Sequence, residues 1–294
     1  MPELAPPITD LAPLAGGGHL FFGEWPGEGP ALVAVHGLTN QHRNLAAVAA
    51  SLAGELRVVA PDLRGRGASS PAGEESTIEA HAADVLALMD AVGIERAILA
   101  GHSMGAYVAT AIAAGNPDRV SGVVLIDGGV MLGSEVEALL EQVKPALARL
   151  STVYDSPAAY LEEWRGRGAF DGHWGPVVEQ NLLYDLGRGR DGYVPKAEPA
   201  AALADLADIA ENDRGSGRLR GVRCPALVLA AEAGLAPGSP PVLGEAELET
   251  MRAELAAMEL RRIPDTGHYT VAISEAGAAA CAEAIRSFAH GVAP

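Results

Sequence analysis

Along the chain, short runs of apolar residues alternate with longer segments in which apolar positions recur every three or four residues. The short runs, 31–36, 56–61, 97–102, 122–127, 226–231 and 259–264, have the length and composition of buried strands, and 19–24 adds an edge strand. Segments 44–53, 77–92, 103–115, 245–257 and 274–290 carry the period of helices with one apolar face. A Pro/Gly-rich stretch to about Gly18 precedes the first of them. Such alternation predicts an α/β fold, a mostly parallel doubly wound sheet with crossover helices on both faces.

Between about 130 and 222 the rhythm changes. Helical segments 135–150, 157–165, 177–186 and 199–210 follow one another with no strand between them, and 187–192 and 212–217 read as loops. This predicts a helical cap, 130–222, inserted between two parts of one core, 1–129 and 223–294. In a chain with only 4% aromatic residues, the cap carries Tyr160, Trp164, Trp174 and Tyr184. These four are expected to wall an apolar substrate pocket, with packing inside the cap as the alternative.

Composition narrows the function. With 49% hydrophobic and 20% charged residues the chain is an ordinary globular protein. A net charge of -17 repels nucleic acid and anionic membranes, which bind through Lys and Arg contacts to phosphate, so neither is expected as a partner. A small-molecule substrate remains, and oligomeric state is left open. Cys224 and Cys281 are the two cysteines and lack metal-ligand spacing; no His pair stands at ligand spacing with a matching carboxylate, so neither a metal nor a cofactor is expected. The first ten residues lack a basic and then apolar leader, and no run of about 18 apolar residues occurs, which gives a cytoplasmic expectation.

The strongest chemical signal is Gly101-His102-Ser103-Met104-Gly105, with a strand before it and a helix after it. That is the setting of a nucleophile elbow, where small flanking residues permit a tight turn that lifts the serine hydroxyl clear of the sheet. A serine hydroxyl needs a base of near-neutral pKa, and His268 in Pro264-Asp265-Thr266-Gly267-His268-Tyr269 follows the last strand in a loop.

The chain resembles the α/β-hydrolase family over nearly its whole length. The resemblance is carried by His36-Gly37, Pro61-Asp62-Leu63-Arg64-Gly65-Arg66-Gly67, the Ser103 elbow, Pro117-Asp118-Arg119-Val120 and Gly267-His268. It implies a sheet of the α/β-hydrolase type, the order nucleophile, acid, histidine, and an oxyanion hole from the backbone N–H groups of Leu38 and Met104. It also implies an Asp in a Gly-x-x-Asp arrangement after the strand that follows the cap, but Gly234 stands there. Two acids remain as partners for His268: Asp127, at the end of the 122–127 run, where some lactonases and dehalogenases of the family carry theirs, and Glu232 as the alternative. Asp127 is preferred. His36 is expected to orient a loop, and Asp62 and Arg64 to form a structural ion pair.

A serine at the elbow argues against dehalogenase and epoxide-hydrolase chemistry, for which the family uses an aspartate nucleophile. The expectation is a serine hydrolase of a carboxylic ester or lactone acting through an acyl-enzyme. Amide, thioester or carbon–carbon bond hydrolysis is the alternative with the same apparatus; a hydrolase-like receptor with little turnover and a cofactor-independent oxygenase on the same fold are the alternatives of another class.

Overall fold

The computed structural model describes residues 6–73, 76–131, 136–212 and 217–292. Its strands are β1 (Ile8–Pro13), β2 (His19–Trp25), β3 (Ala31–Val35), β4 (Arg57–Pro61), β5 (Ala97–His102), β6 (Val120–Ile126), β7 (Leu186–Arg188), β8 (Tyr193–Pro195), β9 (Ala226–Ala231) and β10 (Met258–Ile263). Eight form one sheet in the order β1-β2-β4-β3-β5-β6-β9-β10, antiparallel in the first two pairings and parallel from β4 onward. The helices are α1 (Ala46–Leu52), α2 (Ile78–Ala91), α3 (Met104–Gly115), α4 (Val136–Ala148), α5 (Pro157–Gly166), α6 (Pro176–Tyr184), α7 (Pro199–Asn212), α8 (Glu245–Glu254), α9 (Thr270–Ile273) and α10 (Glu275–Val292).

Strand side chains alternate between the two faces, and β5, β6 and β9 are buried at every position because both faces are covered. Val33, Val35, Leu99, Val123 and Leu125 point to the layer that holds Val85, Leu88 and Met89 of α2 and Val108 and Ile112 of α3. Leu32, Ala34, Ile98, Val124 and Ile126 point the other way, toward Val48 and Leu52 of α1 and Ile285 and Phe288 of α10. The strand order reverses between β3 and β5, and a crevice opens beyond the carboxyl ends of the strands at such a point.

Among the described residues, four α-helices and a hairpin lie between β6 and β9. The hairpin β7–β8 corrects the expectation of a strandless 130–222 segment and of a loop at 187–192: three-residue strands flanked by glycines are too short to show a period of two. β1 is a second difference. It pairs with β2 from within the Pro/Gly-rich stretch, and its exposed pattern, with only Ala12 buried, hides it from a search for apolar runs. Consequently β2 is an interior strand, not an edge. The 44–53 helix begins as a 3-10 turn at His42–Leu45 before α1. Residues 213–216 of the expected 212–217 loop lie outside the described residues. Among the described residues no helix is long and apolar enough to cross a membrane.

Candidate active site

Strand β5 turns directly into helix α3 at Ser103, whose backbone is forced to φ 54, ψ -119. A positive φ on a residue with a Cβ is strained and persists only where its surroundings hold it. Here they are backbone. A Cβ on Gly101 would stand 2.1 Å from the Gly105 carbonyl oxygen, and one on Gly105 would stand 2.2 Å from that of Val35. Ser103 N–H donates to the Ile126 carbonyl (3.0 Å), pinning the turn to β6.

Three side chains meet above this turn. Ser103 Oγ lies 3.0 Å from Nε2 of His268, and Nδ1 of His268 lies 2.7 Å from Oδ2 of Asp127. An ionised carboxylate only accepts, so the imidazole carries its proton on Nδ1 and presents a lone pair at Nε2 to the serine hydroxyl. Asp127 leaves β6 with φ 47, is fully buried, and takes a second hydrogen bond at Oδ1 from Ala231 N–H (3.2 Å).

The alternative acid lies elsewhere. Glu232 is exposed, and its Oε2 accepts from Asp265 N–H (3.0 Å) instead of meeting the imidazole. Position 234 has no room for a side chain, because a Cβ there would approach the Pro240 carbonyl oxygen to 2.2 Å. The Gly234 carbonyl instead accepts from His268 N–H (3.1 Å), which holds the histidine loop in place.

Two further histidines brace the site in neutral form. His102 Nε2 donates to the His268 carbonyl oxygen (2.8 Å), and burial, reinforced by the neighbouring His268, pushes its pKa down to about 3. His36 accepts from Leu63 N–H at Nε2 (3.0 Å) and donates from Nδ1 to the Gly37 carbonyl (2.7 Å); burial lowers its pKa to about 3 as well. It thereby ties the turn after β3 to the loop after β4.

Leu38 and Met104 border the same cavity. Met104 opens α3, so its N–H has no acceptor within the helix. The Leu38 carbonyl accepts from Nε of Arg66 (3.1 Å), a buried guanidinium that also reaches Asp205 on α7 (2.5 Å). Asp205 further accepts from Ser76 and lies 3.0 Å from Nε2 of His81. Burial alone would raise its pKa, but the His81 hydrogen bond and the charges of His81 and Arg66 outweigh it and hold the group at about 2. The loop after β3 is thus anchored to the segment between β6 and β9.

A cavity opens over Ser103 and is bordered by His268 and Asp127. Its wall is largely apolar: Met131, Val143 and Ala146 of α4, Leu206 and Ile209 of α7, Leu235, Val242 and Tyr269. The aromatic residues named from the sequence do not line it. Tyr160 is buried against Asp185 (2.5 Å) and Arg149; Tyr184 donates to Asp62 (2.8 Å); the Trp174 indole donates to Glu179 (2.7 Å). Trp164 borders a smaller neighbouring cavity. The expected Asp62–Arg64 pair is also absent: Asp62 takes His42 (2.8 Å) and Tyr184, while Arg64 pairs with Asp84 (2.5 Å). Val143 with Ala146 and Leu206 with Ile209 are apolar pairs at helical spacing, a signal visible in the sequence that marks an inward face without saying what it faces.

The model of the alpha/beta hydrolase fold matches residues 30–272. The chain belongs to the α/β-hydrolase family. Among its relatives, a lipase of Mycobacterium tuberculosis, LipV, is 38% identical over 170 residues, 56% of this chain and 62% of that protein. The alignment therefore spans less than two thirds of the lipase. A fluoroacetate dehalogenase from a Burkholderia species is 32% identical over 235 residues, 71% of this chain and 73% of that protein. The solved structure of E-2-(acetamidomethylene)succinate hydrolase superposes with a TM-score of 0.80 at 23% identity over 96% of this chain and 98% of that one, a likeness of fold. Family members thus include both lipase and dehalogenase.

Proposed function

We propose that this α/β hydrolase cleaves a carboxylic ester or lactone of a small, moderately hydrophobic molecule through an acyl-enzyme on Ser103. The observation that carries the reading is the line Ser103 Oγ, His268, Asp127, at 3.0 and 2.7 Å. Nε2 of His268 removes the hydroxyl proton as Oγ attacks the carbonyl carbon. Asp127 holds the proton-bearing Nδ1 in place and stabilises the imidazolium that forms. The tetrahedral oxyanion is received by the N–H groups of Leu38 and Met104, and a donor so placed is worth about 3–4 kcal/mol in the barrier. His268 then returns the proton to the leaving alcohol, and water repeats the sequence on the acyl-enzyme.

The nucleophile also separates this chain from the dehalogenase among its relatives. Displacement of halide by Ser103 would leave an alkyl ether, which water activated by an imidazole does not cleave. Attack on a carbonyl leaves an ester, which it does. An alkoxide leaves more readily than an amine, and the apolar wall favours an uncharged acyl group, so esters and lactones come first. In this reading the segment 130–222 acts as a cap, α4 and α7 supplying the roof over the acyl group.

Screening acyl esters, lactones and aryl amides with the wild type and Ser103→Ala tests the proposal. Turnover of esters or lactones above amides, lost in Ser103→Ala, is expected. Preference for amides, or turnover that survives the substitution, would contradict it.

A further inference from the structure

The loop that follows β3 is held from two sides. At its base, Gly37 N–H donates to Asn44 Oδ1 (3.2 Å), and the Gly37 carbonyl accepts from His36 Nδ1 (2.7 Å) and from Asn40 N–H (3.1 Å). That carbonyl belongs to the same planar peptide unit as Leu38 N–H, so whatever fixes it fixes the direction in which the oxyanion donor points. Beyond Gly37 the partners come from the segment between β6 and β9. Leu38 reaches Asp205 of α7 through Arg66, and Thr39 Oγ1 accepts from Nη2 of Arg149 (3.1 Å), itself held by Asp185 and the Tyr160 hydroxyl. Asn40 Oδ1 accepts from Nδ2 of Asn181 (3.2 Å), and Gln41 Nε2 donates to the Asn181 carbonyl (3.0 Å).

Asn181 lies inside α6 between Val178 and Leu182 and is only 3% exposed. An asparagine is a weak helix former, and a buried amide costs stability unless its groups are bonded, so an apolar residue here would serve the packing of α6 better. Its amide is oriented by its partner: Asn40 Oδ1 also accepts from Gln41 N–H (3.0 Å), so Asn40 offers its oxygen and Asn181 must offer its NH2. Leu38, Thr39 and Asn40 are among the described residues that wall the cavity over Ser103, and Asn181 is not. It meets the loop from behind.

We propose that Asn181 is a positioning residue for the hydrolysis: through Asn40 and the Gly37 carbonyl it sets the Leu38 N–H that receives the oxyanion. The proposal rests on the reading of Ser103 as an acylated nucleophile with Leu38 as one oxyanion donor. The path is two hydrogen bonds long, from Asn181 Nδ2 to Asn40 Oδ1 and from Asn40 N–H to the Gly37 carbonyl, and it ends on the peptide that carries the donor. An oxyanion donor acts on charge that the bound ester lacks, so misplacing it costs rate and leaves substrate binding alone. The oxyanion loop thus takes its shape from α6 as well as from the sheet, and the inserted segment serves the chemistry as well as the pocket wall.

Asn181→Leu removes the donor to Asn40 and keeps the backbone acceptor for Gln41; Asn181→Ala is the second variant should the first not fold. On a chromogenic ester kcat should fall about 10- to 100-fold, part of the loss expected when an oxyanion donor is removed outright, with KM within about twofold. The inhibition constant of an alkylboronic acid, whose tetrahedral adduct on Ser103 sets an oxygen in the same hole, should rise by the same factor. Active-site titration with a fluorophosphonate refers both values to competent enzyme. A merely structural asparagine would lower the number of titrated sites and leave kcat per site and boronate affinity as in the wild type. That result, or a loss carried by KM, would overturn the proposal. Amide hydrogen exchange of residues 38–41, read by mass spectrometry, follows the loop without turnover and should quicken in the variant. Should the wild type turn over no ester, the hydrolase reading fails while quickened exchange still upholds the hold of Asn181 on the loop; unchanged exchange overturns it in either case.

Discussion

Replacing Asp127 by Asn changes one atom in a buried contact, and the surroundings of that contact dictate the outcome. Ala231 N–H donates to Oδ1 at 3.2 Å, so an Asn side chain keeps its oxygen there and places its NH2 where Oδ2 stood, 2.7 Å from His268 Nδ1. Donor then faces donor unless the imidazole moves its proton to Nε2. The Nε2–H would point at Ser103 Oγ, 3.0 Å away, with no lone pair to take the serine proton. A flipped amide restores the productive tautomer but sets its NH2 against Ala231 N–H, which costs about 1–3 kcal/mol for the unpaired buried groups. That alone leaves the competent form at about one part in five to one in 150. With the stabilisation of the imidazolium also lost, kcat should fall about 10⁴-fold, about 5.5 kcal/mol in the barrier. The assay is kcat/KM on a chromogenic ester with thermal unfolding as the check on folding. Glu232→Gln is the control: a glutamine oxygen can still accept from Asp265 N–H, and activity should stay within about twofold. A folded Asp127→Asn variant that loses less than about tenfold, or a larger loss in Glu232→Gln, would refute this reasoning.

Stability should fall with acid well before carboxylates protonate. His36 and His102 have pKa values lowered from 6.5 to about 3, so the unfolded chain binds their protons first and folding free energy, intact above pH 6.5, declines as pH drops toward 3. Between pH 7 and 5 each imidazole removes about 2 kcal/mol, to be read from urea unfolding at the two pH values. Asp205→Asn leaves the buried Arg66 without its anion and should cost about 3–5 kcal/mol in the same assay. The depressed Asp205 pKa adds stability that is present above pH 4 and is lost as pH falls toward 2, so the variant should lack that last step of acid sensitivity. Gly105→Ala should abolish turnover and destabilise the fold, since its Cβ would stand 2.2 Å from one carbonyl oxygen and 2.8 Å from the next.

The parallel core was legible because its strands are covered on both faces and therefore read as continuous apolar runs. β1 and the β7–β8 hairpin were not, one being exposed at the sheet edge and the other only three residues a side. The elbow at Ser103 is a local motif, so five adjacent residues suffice to signal it. Asp127 against Glu232 is a question of distance across the fold: the two lie close in space to the same loop, and only coordinates separate the carboxylate that meets His268 from the one that caps Asp265. For a related reason the sequence does not tell pocket wall from packing inside the cap. Tyr160, Trp174 and Tyr184 are large and conspicuous, but each has a polar tip that found an acidic partner inside the inserted segment or beneath it. The smaller Val143, Ala146, Leu206 and Ile209, with no polar group to satisfy, were left to face the cavity.

The account depends on Ser103 being the group that reacts. Treatment with a fluorophosphonate probe, followed by peptide mass mapping, tests this most directly. One equivalent of probe on Ser103, with none bound after Ser103→Ala and slow labelling after His268→Ala, is the predicted result. Labelling at another residue, or an unreactive Ser103 in the folded protein, would contradict it.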